Sequence, residues 1–228
     1  GLAEAAALQS RLAAAAPATA LAINMHLVWT GVAKVMRDRG VDDLAFVQHE
    51  AAKGELFAFG ISEAGNDLVL FGSDTDAAPD PDGGYRFTGT KIFTSLAPVW
   101  TRMGLHGLDT TSPDGPWMVY AFIDRPEAGA GDAASIVTRD DWNTVGMRGT
   151  QSRTTELHAA YAPANRVARR VAPGPNVGPC LCLGAQVHVS HGARNPLQAR
   201  LGGWRRRPAV DRRGHGAEYA PVGRGLRV

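Results

Sequence analysis

The sequence predicts an α+β fold in which N-terminal helices precede an antiparallel β-barrel or β-sandwich. Residues up to about Gly54 are rich in Ala and Leu, and their apolar side chains recur at helical spacing. After Glu55 the apolar residues come in short runs separated by turns, of which the Pro- and Gly-rich segment 79–84 is the strongest. Helices and strands in separate blocks are typical of α+β proteins, and short strands joined by turns are typical of barrels and sandwiches.

Three helices are predicted, at residues 3–16, 18–39 and from 42 or 43 to 53. Pro17 separates the first two because proline cannot donate a helical hydrogen bond, and Gly40 and Gly54 end the second and third. In the second helix four apolar residues recur at helical spacing and are predicted to face a core: Leu21, Met25, Val28 and Val32.

Strands are predicted at residues 56–61, 68–71, 85–87, 90–94, 117–123, 135–139 and 154–161. We therefore divide the chain into a partial helical domain at 1–54, a β domain at 55–171 and a tail at 172–228. With 228 residues, 44% hydrophobic and 20% charged, the chain is long enough to bury a core, which excludes fibrous and disordered classes.

The tail differs in charge from the rest of the chain. Residues 1–178 carry 15 Lys and Arg against 20 Asp and Glu, whereas residues 179–228 carry 9 against 2, so the overall charge of +2 includes a tail of +7. Because the tail is rich in Arg, Gly and His and has no apolar stripe, we expect it to be irregular and disordered. We hypothesise that a frameshift near residue 179 produced this composition.

The tail also contains one motif that resembles a metal site and one that resembles a nucleic-acid contact. Cys180 and Cys182 with His188 and His191 are metal-ligand residue types, but a one-residue spacing between cysteines is atypical of zinc sites, so no metal is predicted. The Arg triplet at 205–207 permits nonspecific contact with nucleic acid, but no aromatic interleaving supports a specific partner. A noncatalytic interaction protein with a basic tail is kept as an alternative.

Residues 12–33 contain no charged side chain and are long enough to span a bilayer. Their Ala content, together with Pro17 and Asn24, favours a pair of buried helices, so no membrane contact is predicted. No signal peptide is evident, and Cys180 and Cys182 are too close to form an ordinary disulfide. We therefore expect a cytoplasmic protein.

Two stretches with the same build predict a site for a planar cofactor. Residues 57–67 carry Phe59 and Ser62 before a Gly-Asn-Asp turn, and residues 89–96 carry Phe93 and Ser95. If the two stretches lie side by side, hydroxyls and backbone amides meet the polar edge of a flat ring, and an aromatic side chain meets its face. An ordinary turn for the first stretch, and ordinary core packing for Phe93, remain open on these residues alone.

Both stretches resemble the middle domain of the acyl-CoA dehydrogenase family. Ser62 and the turn at 65–67 are similar to its Thr-Glu-Pro-x-x-Gly-Ser-Asp loop, although the loop here is two residues shorter and has Asn66 in place of Ser. Phe93 and Ser95 match the Trp and Thr of its Trp-Ile-Thr-Asn strand, and Lys91 matches a Lys often found two residues earlier.

The resemblance extends over about residues 14–171. Residues 146–153, Gly-Met-Arg-Gly-Thr-Gln-Ser-Arg, are similar to the family's Gly-Met-Arg-Gly segment, and residues 162–165 are similar to its exit from the β domain. Three motifs in the family's order are more specific than any one alone.

The resemblance implies FAD as the cofactor. Ser62 would hydrogen-bond the flavin, Phe93 would pack against it, and Ser95 would offer a hydroxyl to the N5 or O4 edge. The implied cofactor-binding residues are Phe59, Ser62, Asn66, Phe93, Thr94 and Ser95, and the implied substrate-binding residues are Asn66 and Arg148. Arg148 is included because the guanidinium fork suits phosphate.

The activity implied is α,β-oxidation of an acyl-CoA or related thioester, with an unidentified electron-transfer partner. The family's catalytic Glu usually comes from its C-terminal helical bundle, which also makes the oligomer contacts. No residue here matches that Glu, so no catalytic residue is predicted and the chain is expected to be an inactive fragment. A flavin monooxygenase of the same superfamily, which uses externally reduced flavin, is the alternative.

Overall fold

The computed structural model describes residues 1–68, 70–127 and 129–174. Three helices come first: α1 (Leu2–Ala15), α2 (Pro17–Asp38) and α3 (Ala45–Ala51). Eight strands follow: β1 (Phe57–Gly60), β2 (Asp76–Pro79), β3 (Tyr85–Thr94), β4 (Arg102–Asp109), β5 (Trp117–Asp124), β6 (Ile136–Thr138), β7 (Arg153–Ala162) and β8 (Val167–Val171). Short 3-10 turns lie at Ala133–Ser135, Arg148–Thr150 and Ala164–Arg166. The α+β class is therefore confirmed.

The strands form one sheet in the order β6-β7-β3-β2-β4-β5-β8, with β1 beside β4. Most neighbours are antiparallel, but β1 and β2 both pair with β4 in parallel, which differs from the predicted purely antiparallel arrangement. The described strands do not close into a ring, since β6 and β8 lie at opposite ends of the path. The barrel alternative is therefore wrong for the described part, and a sandwich-like sheet remains compatible.

Apolar side chains form two cores. One lies within the sheet around Phe87, Trp100 and Leu105. The other lies between the helices and the sheet, where Trp29 packs edge-on against Phe122 with ring centroids 4.8 Å apart. The indole N–H of Trp29 donates to the Ala58 carbonyl of β1 at 2.9 Å, which satisfies its polar atom inside the core and attaches α2 to the sheet.

The helix predictions are confirmed in number, and the first two in approximate length, whereas α3 has only 7 residues and is shorter than predicted. The predicted buried face of α2 is wrong in part. Leu21 and Val28 are exposed, and the buried side chains are Ala20, Ala22, Trp29, Ala33 and Met36. Small Ala side chains let α2 approach the sheet closely, so the larger residues of the neighbouring face are left outside.

Three strand predictions need correction. In the segment predicted at 68–71, the described residues Leu68, Leu70 and Phe71 lie in turns and bends and not in a strand. The Asn66 side chain accepts a hydrogen bond from the Leu68 amide, and the Phe71 amide donates back to the Leu68 carbonyl. The segments predicted at 85–87 and 90–94 form one strand, β3. Strands β2, β4 and β8 were not predicted.

The structure does not describe residues from 175 onward, so the predictions made for the tail lie outside the described residues. These are the frameshift near 179, the Cys180–Cys182 motif and the Arg triplet. The domain boundaries at 54 and 171 stay predictions. Within the described ranges, no helix combines the length and the apolar character needed to cross a membrane.

Candidate functional site

A cavity of about 520 Å³ lies between α2, the ends of β1 and β3, and residues 142–152. Its volume falls within the range typical of small-molecule sites. The lining combines apolar side chains with hydroxyls: Leu21, Met25, Phe59, Ser62, Phe93, Ser95, Trp142, Thr144, Gly146, Met147, Thr150 and Ser152.

Both stretches predicted to hold a planar cofactor reach this cavity. Phe59 and Ser62 line it from the first stretch, and Phe93 and Ser95 line it from the second. A backbone hydrogen bond of 2.9 Å from the Ile92 amide to the Ser62 carbonyl holds the two stretches together. The structure therefore brings the two serines to one cavity, while their role toward a cofactor stays a prediction.

Three other predicted site residues do not line the cavity. The Asn66 amide donates to the Glu63 carboxylate at 2.6 Å and to the Gly72 carbonyl at 3.1 Å, so it organises its own loop. Thr94 is fully buried, and its hydroxyl has no hydrogen-bond partner in the described structure. Arg148 is exposed and donates to the Thr144 carbonyl at 2.7 Å.

The backbone around the cavity is strained. Among the described residues, five other than Gly have positive φ. Two of them, Phe93 and Met147, line the cavity, and two more, Leu96 and Gln151, are adjacent in the chain to lining residues. A left-handed backbone at such residues costs on the order of 1–3 kcal/mol and clusters at functional sites. At Phe93, with φ of 56°, it coincides with a side chain that is 58% exposed and meets Trp142 edge-on at 6.2 Å.

Three hydroxyls form a continuous chain in the cavity wall. Ser95 Oγ lies 2.7 Å from Ser152 Oγ, and Ser152 Oγ lies 2.8 Å from Thr150 Oγ1. Thr150 Oγ1 in turn donates to the Met147 carbonyl at 3.0 Å. All three hydroxyl residues are buried, so the chain is shielded from bulk water.

Sequence reasoning missed the Thr150 and Ser152 side of the cavity. Both residues lie in the Gly-Met-Arg-Gly-Thr-Gln-Ser segment, in which only Arg148 was predicted to contact a ligand. The usable signal was a second pair of hydroxyls, Thr150 and Ser152, two positions apart in that segment.

A buried ion pair joins Glu63, the residue after Ser62, to Lys91 of β3. Lys91 Nζ donates to Glu63 Oε1 at 2.5 Å and to the His106 carbonyl at 2.8 Å. From the described residues Glu63 accepts six hydrogen bonds: one from Lys91 and five from the Asn66 amide, the Ser73 and Thr75 hydroxyls, and the Asp74 and Thr75 backbone amides. Such a carboxylate is satisfied on both oxygens, which is what a buried charge requires.

The same contacts set the protonation of the pair. Burial raises the pKa of Glu63, but the Lys91 charge and the hydrogen bonds from Lys91, Thr75 and Ser73 outweigh burial and hold that pKa well below its usual range. Burial lowers the pKa of Lys91 to about 8, and the Glu63 carboxylate opposes this shift. Both groups are therefore charged at neutral pH.

No group of three His, Cys, Asp or Glu residues in the described ranges is arranged to hold a metal ion. What the site offers a ligand is an exposed aromatic ring, an apolar wall from α2 and several hydroxyls. This arrangement suits a flat organic group with one polar edge.

No protein-family model matches the chain. Among curated proteins, dibenzothiophene monooxygenase from Mycolicibacterium goodii is 38% identical over 91 residues, covering 36% of this chain and 19% of that protein. Dibenzothiophene monooxygenase from Rhodococcus erythropolis is 36% identical over 83 residues, covering 36% of this chain and 18% of that protein. The matched stretch thus spans about a fifth of the length of these relatives.

Among solved structures, KijD3 in complex with FMN and a dTDP-linked amino sugar aligns with a TM-score of 0.58 and 23% identity, over 74% of this chain and 39% of that one. The nitrososynthase from Micromonospora carbonacea var. africana aligns with a TM-score of 0.58 and 22% sequence identity, over 77% of this chain and 41% of that one. The chain shares the fold of these proteins.

The comparisons support the predicted resemblance at the level of the superfamily and not at the level of acyl-CoA dehydrogenases specifically. The curated relatives named above are monooxygenases, which favours the monooxygenase alternative over the dehydrogenase interpretation. An acyl-CoA substrate and a place in fatty-acid metabolism receive no support from them.

Proposed function

We propose that the chain is the flavin-binding part of a flavin-dependent monooxygenase that acts on a sulfur- or nitrogen-containing organic substrate. The observation that carries the proposal is that Phe59, Ser62, Phe93 and Ser95, from two separate stretches, all line the same cavity. Its volume of about 520 Å³ is of the size that an aromatic cofactor ring needs.

The cavity residues fit a flavin ring. Phe93 offers an exposed aromatic face, and Leu21 and Met25 offer apolar contact from α2. Ser62 and Ser95 supply hydroxyls on the two stretches that the Ile92–Ser62 backbone bond joins. These residues would hold the ring and exclude water from one side of it. When bound, reduced flavin supplies the two electrons with which one oxygen atom of O₂ enters a substrate and the other leaves as water.

The choice of a monooxygenase over a dehydrogenase rests on relatives. Dibenzothiophene monooxygenases share 36–38% identity with part of the chain, and the fold neighbours include a nitrososynthase and a protein bound to FMN and an amino sugar. A heteroatom substrate is the chemistry that these names have in common. FMN and FAD are both candidates for the cofactor, and the chain lacks an assigned catalytic residue.

Flavin binding is the direct test. The purified chain is titrated anaerobically with reduced FMN and reduced FAD, and binding is followed by flavin fluorescence and equilibrium dialysis. We expect Phe93→Ala and Ser62→Ala to weaken binding, and Val137→Ala, at an exposed apolar residue that does not line the cavity, to leave it unchanged. Absence of flavin binding, or salt-sensitive binding of DNA in its place, would refute the proposal.

A second measurement separates the two flavin activities. Oxygen consumption with reduced flavin and a thioether or amine substrate is compared with dye reduction by acyl-CoA. Dye reduction that depends on acyl-CoA would restore the dehydrogenase interpretation. Because the chain spans only 39–41% of its fold neighbours, the binding assay is decisive and turnover is secondary.

A further inference from the structure

One side of α2 carries an apolar stripe that the fold leaves at the surface. Its five members are spaced four, three, four and three positions apart: Leu21, Met25, Val28, Val32 and Val35. Leu21, Val28 and Val35 are 45%, 37% and 38% exposed, while the other two are half-buried. The fully buried contacts of α2 come from the neighbouring side of the helix, which carries Trp29 and Met36. The described core therefore uses the stripe only in part.

The spacing of the stripe suits a second helix as its partner. Apolar residues that alternate by three and four positions follow one line along a helix, and two helices interlock their side chains through such lines. At a rise of about 1.5 Å per residue the stripe extends for about 21 Å. A line of that length matches the side of another helix better than it matches a small ligand.

Gly31, at the edge of the stripe, supports the close approach of a helix. It is exposed in the interior of α2, where glycine is less favourable than alanine. Among the described residues nothing lies within 4 Å of the position that a Cβ would take, so the described packing does not call for glycine there. A residue without a side chain lets a second helix axis come nearer.

The stripe is symmetrical about Val28, which points to an identical helix as the partner. Leu21 lies seven residues before Val28, and Val35 lies seven residues after it. A copy of the stripe turned end for end therefore presents apolar residues at the same heights. This self-complementarity is what a two-fold interface between identical chains requires.

The charges of α2 favour opposite directions for the two helices. Its charged side chains, Lys34, Arg37 and Asp38, all lie near the C-terminal end, and residues 17–33 carry no Asp, Glu, Lys or Arg. A reversed copy places this net positive end beside the uncharged half of its partner, whereas a parallel copy would place the two positive ends together. Helix dipoles also attract when the helices run in opposite directions.

We propose that two copies of this chain pair through α2, with the two helices antiparallel and Val28 on the two-fold axis. Leu21 of each copy then packs against Val35 of the other copy, and Met25 packs against Val32. Leu21 and Met25 also line the cavity, so the second helix borders the cavity. The inference does not depend on the flavin function, because Val28 and Val35 belong to the stripe and do not line the cavity.

Sedimentation equilibrium of the full chain, from about 1 to about 300 µM, measures the pairing. A helix-to-helix contact is a small interface, so we expect a dissociation constant on the order of 10 µM. Val28→Glu places two carboxylates on the axis and should weaken pairing by at least about tenfold. Val137→Glu is the matched control, because Val137 is an exposed apolar residue on β6 and should leave pairing unchanged.

Gly31→Leu separates an interface role from a structural one. Leucine has the higher helix propensity and meets open space in the single chain, so the thermal midpoint of unfolding should stay equal or rise. The same side chain would hold the second helix away, so pairing should weaken by at least about tenfold. This variant also serves as the test if Val28→Glu does not fold, which circular dichroism would reveal.

Disulfide cross-linking reports the direction of the helices. In a background of Cys180→Ser and Cys182→Ser, mild oxidation should link Val28→Cys chains to one another. Leu21→Cys chains should link to Val35→Cys chains and not to themselves, because two copies of position 21 would lie about 21 Å apart, beyond the reach of a disulfide.

Dimers that weaken in Val28→Glu and Gly31→Leu, together with this pattern of cross-links, support the inference. Three results would overturn it: a monomer at every concentration, a dimer that persists in both variants, or Leu21→Cys chains that link to one another as parallel helices would.

Discussion

Removing one charge of the buried ion pair should destabilise the protein strongly. Glu63→Gln keeps the size of the side chain but leaves the Lys91 ammonium, whose side chain is fully buried, without a counter-charge. It also turns an amide N–H₂ toward a set of donors, since all six groups that contact Glu63 donate to it. Breaking a buried pair in this way costs about 3–5 kcal/mol of unfolding free energy.

The assay is urea unfolding followed by tryptophan fluorescence and far-ultraviolet circular dichroism. Lys34→Met is the control, because Lys34 forms an exposed pair with Asp38 at 2.7 Å and its loss should cost no more than about 0.5 kcal/mol. The double variant Glu63→Gln with Lys91→Met should recover part of the loss, since both charges are then absent. A loss below about 1 kcal/mol for Glu63→Gln would refute the reasoning.

Three further predictions follow from the same contacts. The pKa of Glu63 in the folded protein is depressed below the unfolded value of 4.5, so the ionised carboxylate stabilises the fold fully above that pH and progressively less as the pH falls. Glu63→Gln should therefore make the free energy of unfolding depend less on pH on the acid side. Gly104→Ala should cost about 1–3 kcal/mol in thermal unfolding, since an added Cβ would lie 2.4 Å from Trp29 Cζ2, and Trp29 is held by its bond to Ala58. Phe93→Gly should be more stable than Phe93→Ala by about 1 kcal/mol, because φ of 56° suits glycine, while both variants lose flavin affinity by up to about tenfold; equal stability would contradict the strain.

The fold class was predictable because its signals are local. Pro17 begins α2, and the period of the apolar residues changes where β1 begins. The buried face of α2 was not predictable, since hydrophobicity ranks Leu21 and Val28 above Ala22 and Ala33, whereas close packing needs the small residues. Strand β4 was not predicted because it contains Gly104 and Gly107, and glycine is uncommon in strand interiors. In the structure each glycine leaves room for a neighbouring aromatic ring.

One part of the candidate site could be predicted from the sequence and the other could not. The stretches with Phe59, Ser62, Phe93 and Ser95 each carry a local pattern of ring and hydroxyl, and their convergence on one cavity is observed. The part of the wall that Thr150 and Ser152 add beside Ser95 was not predictable in the same way. Ser95 and Ser152 are 57 positions apart, so only the pairing of β3 with β7 brings them together.

The bulge at the end of β3 explains how one strand serves both the core and the cavity. Side chains of a regular strand alternate, and the inward positions of β3 include Tyr85, Phe87 and Lys91. Continued alternation would send Phe93 inward beside Lys91, where the ion pair with Glu63 already lies. The pairing of β3 with β7 instead shifts between Lys91 and Thr94, and the left-handed backbone at Phe93 turns its ring outward to the cavity. One strand therefore serves both features: Lys91 points inward to Glu63, and the bulge that follows it turns the Phe93 ring toward the cavity.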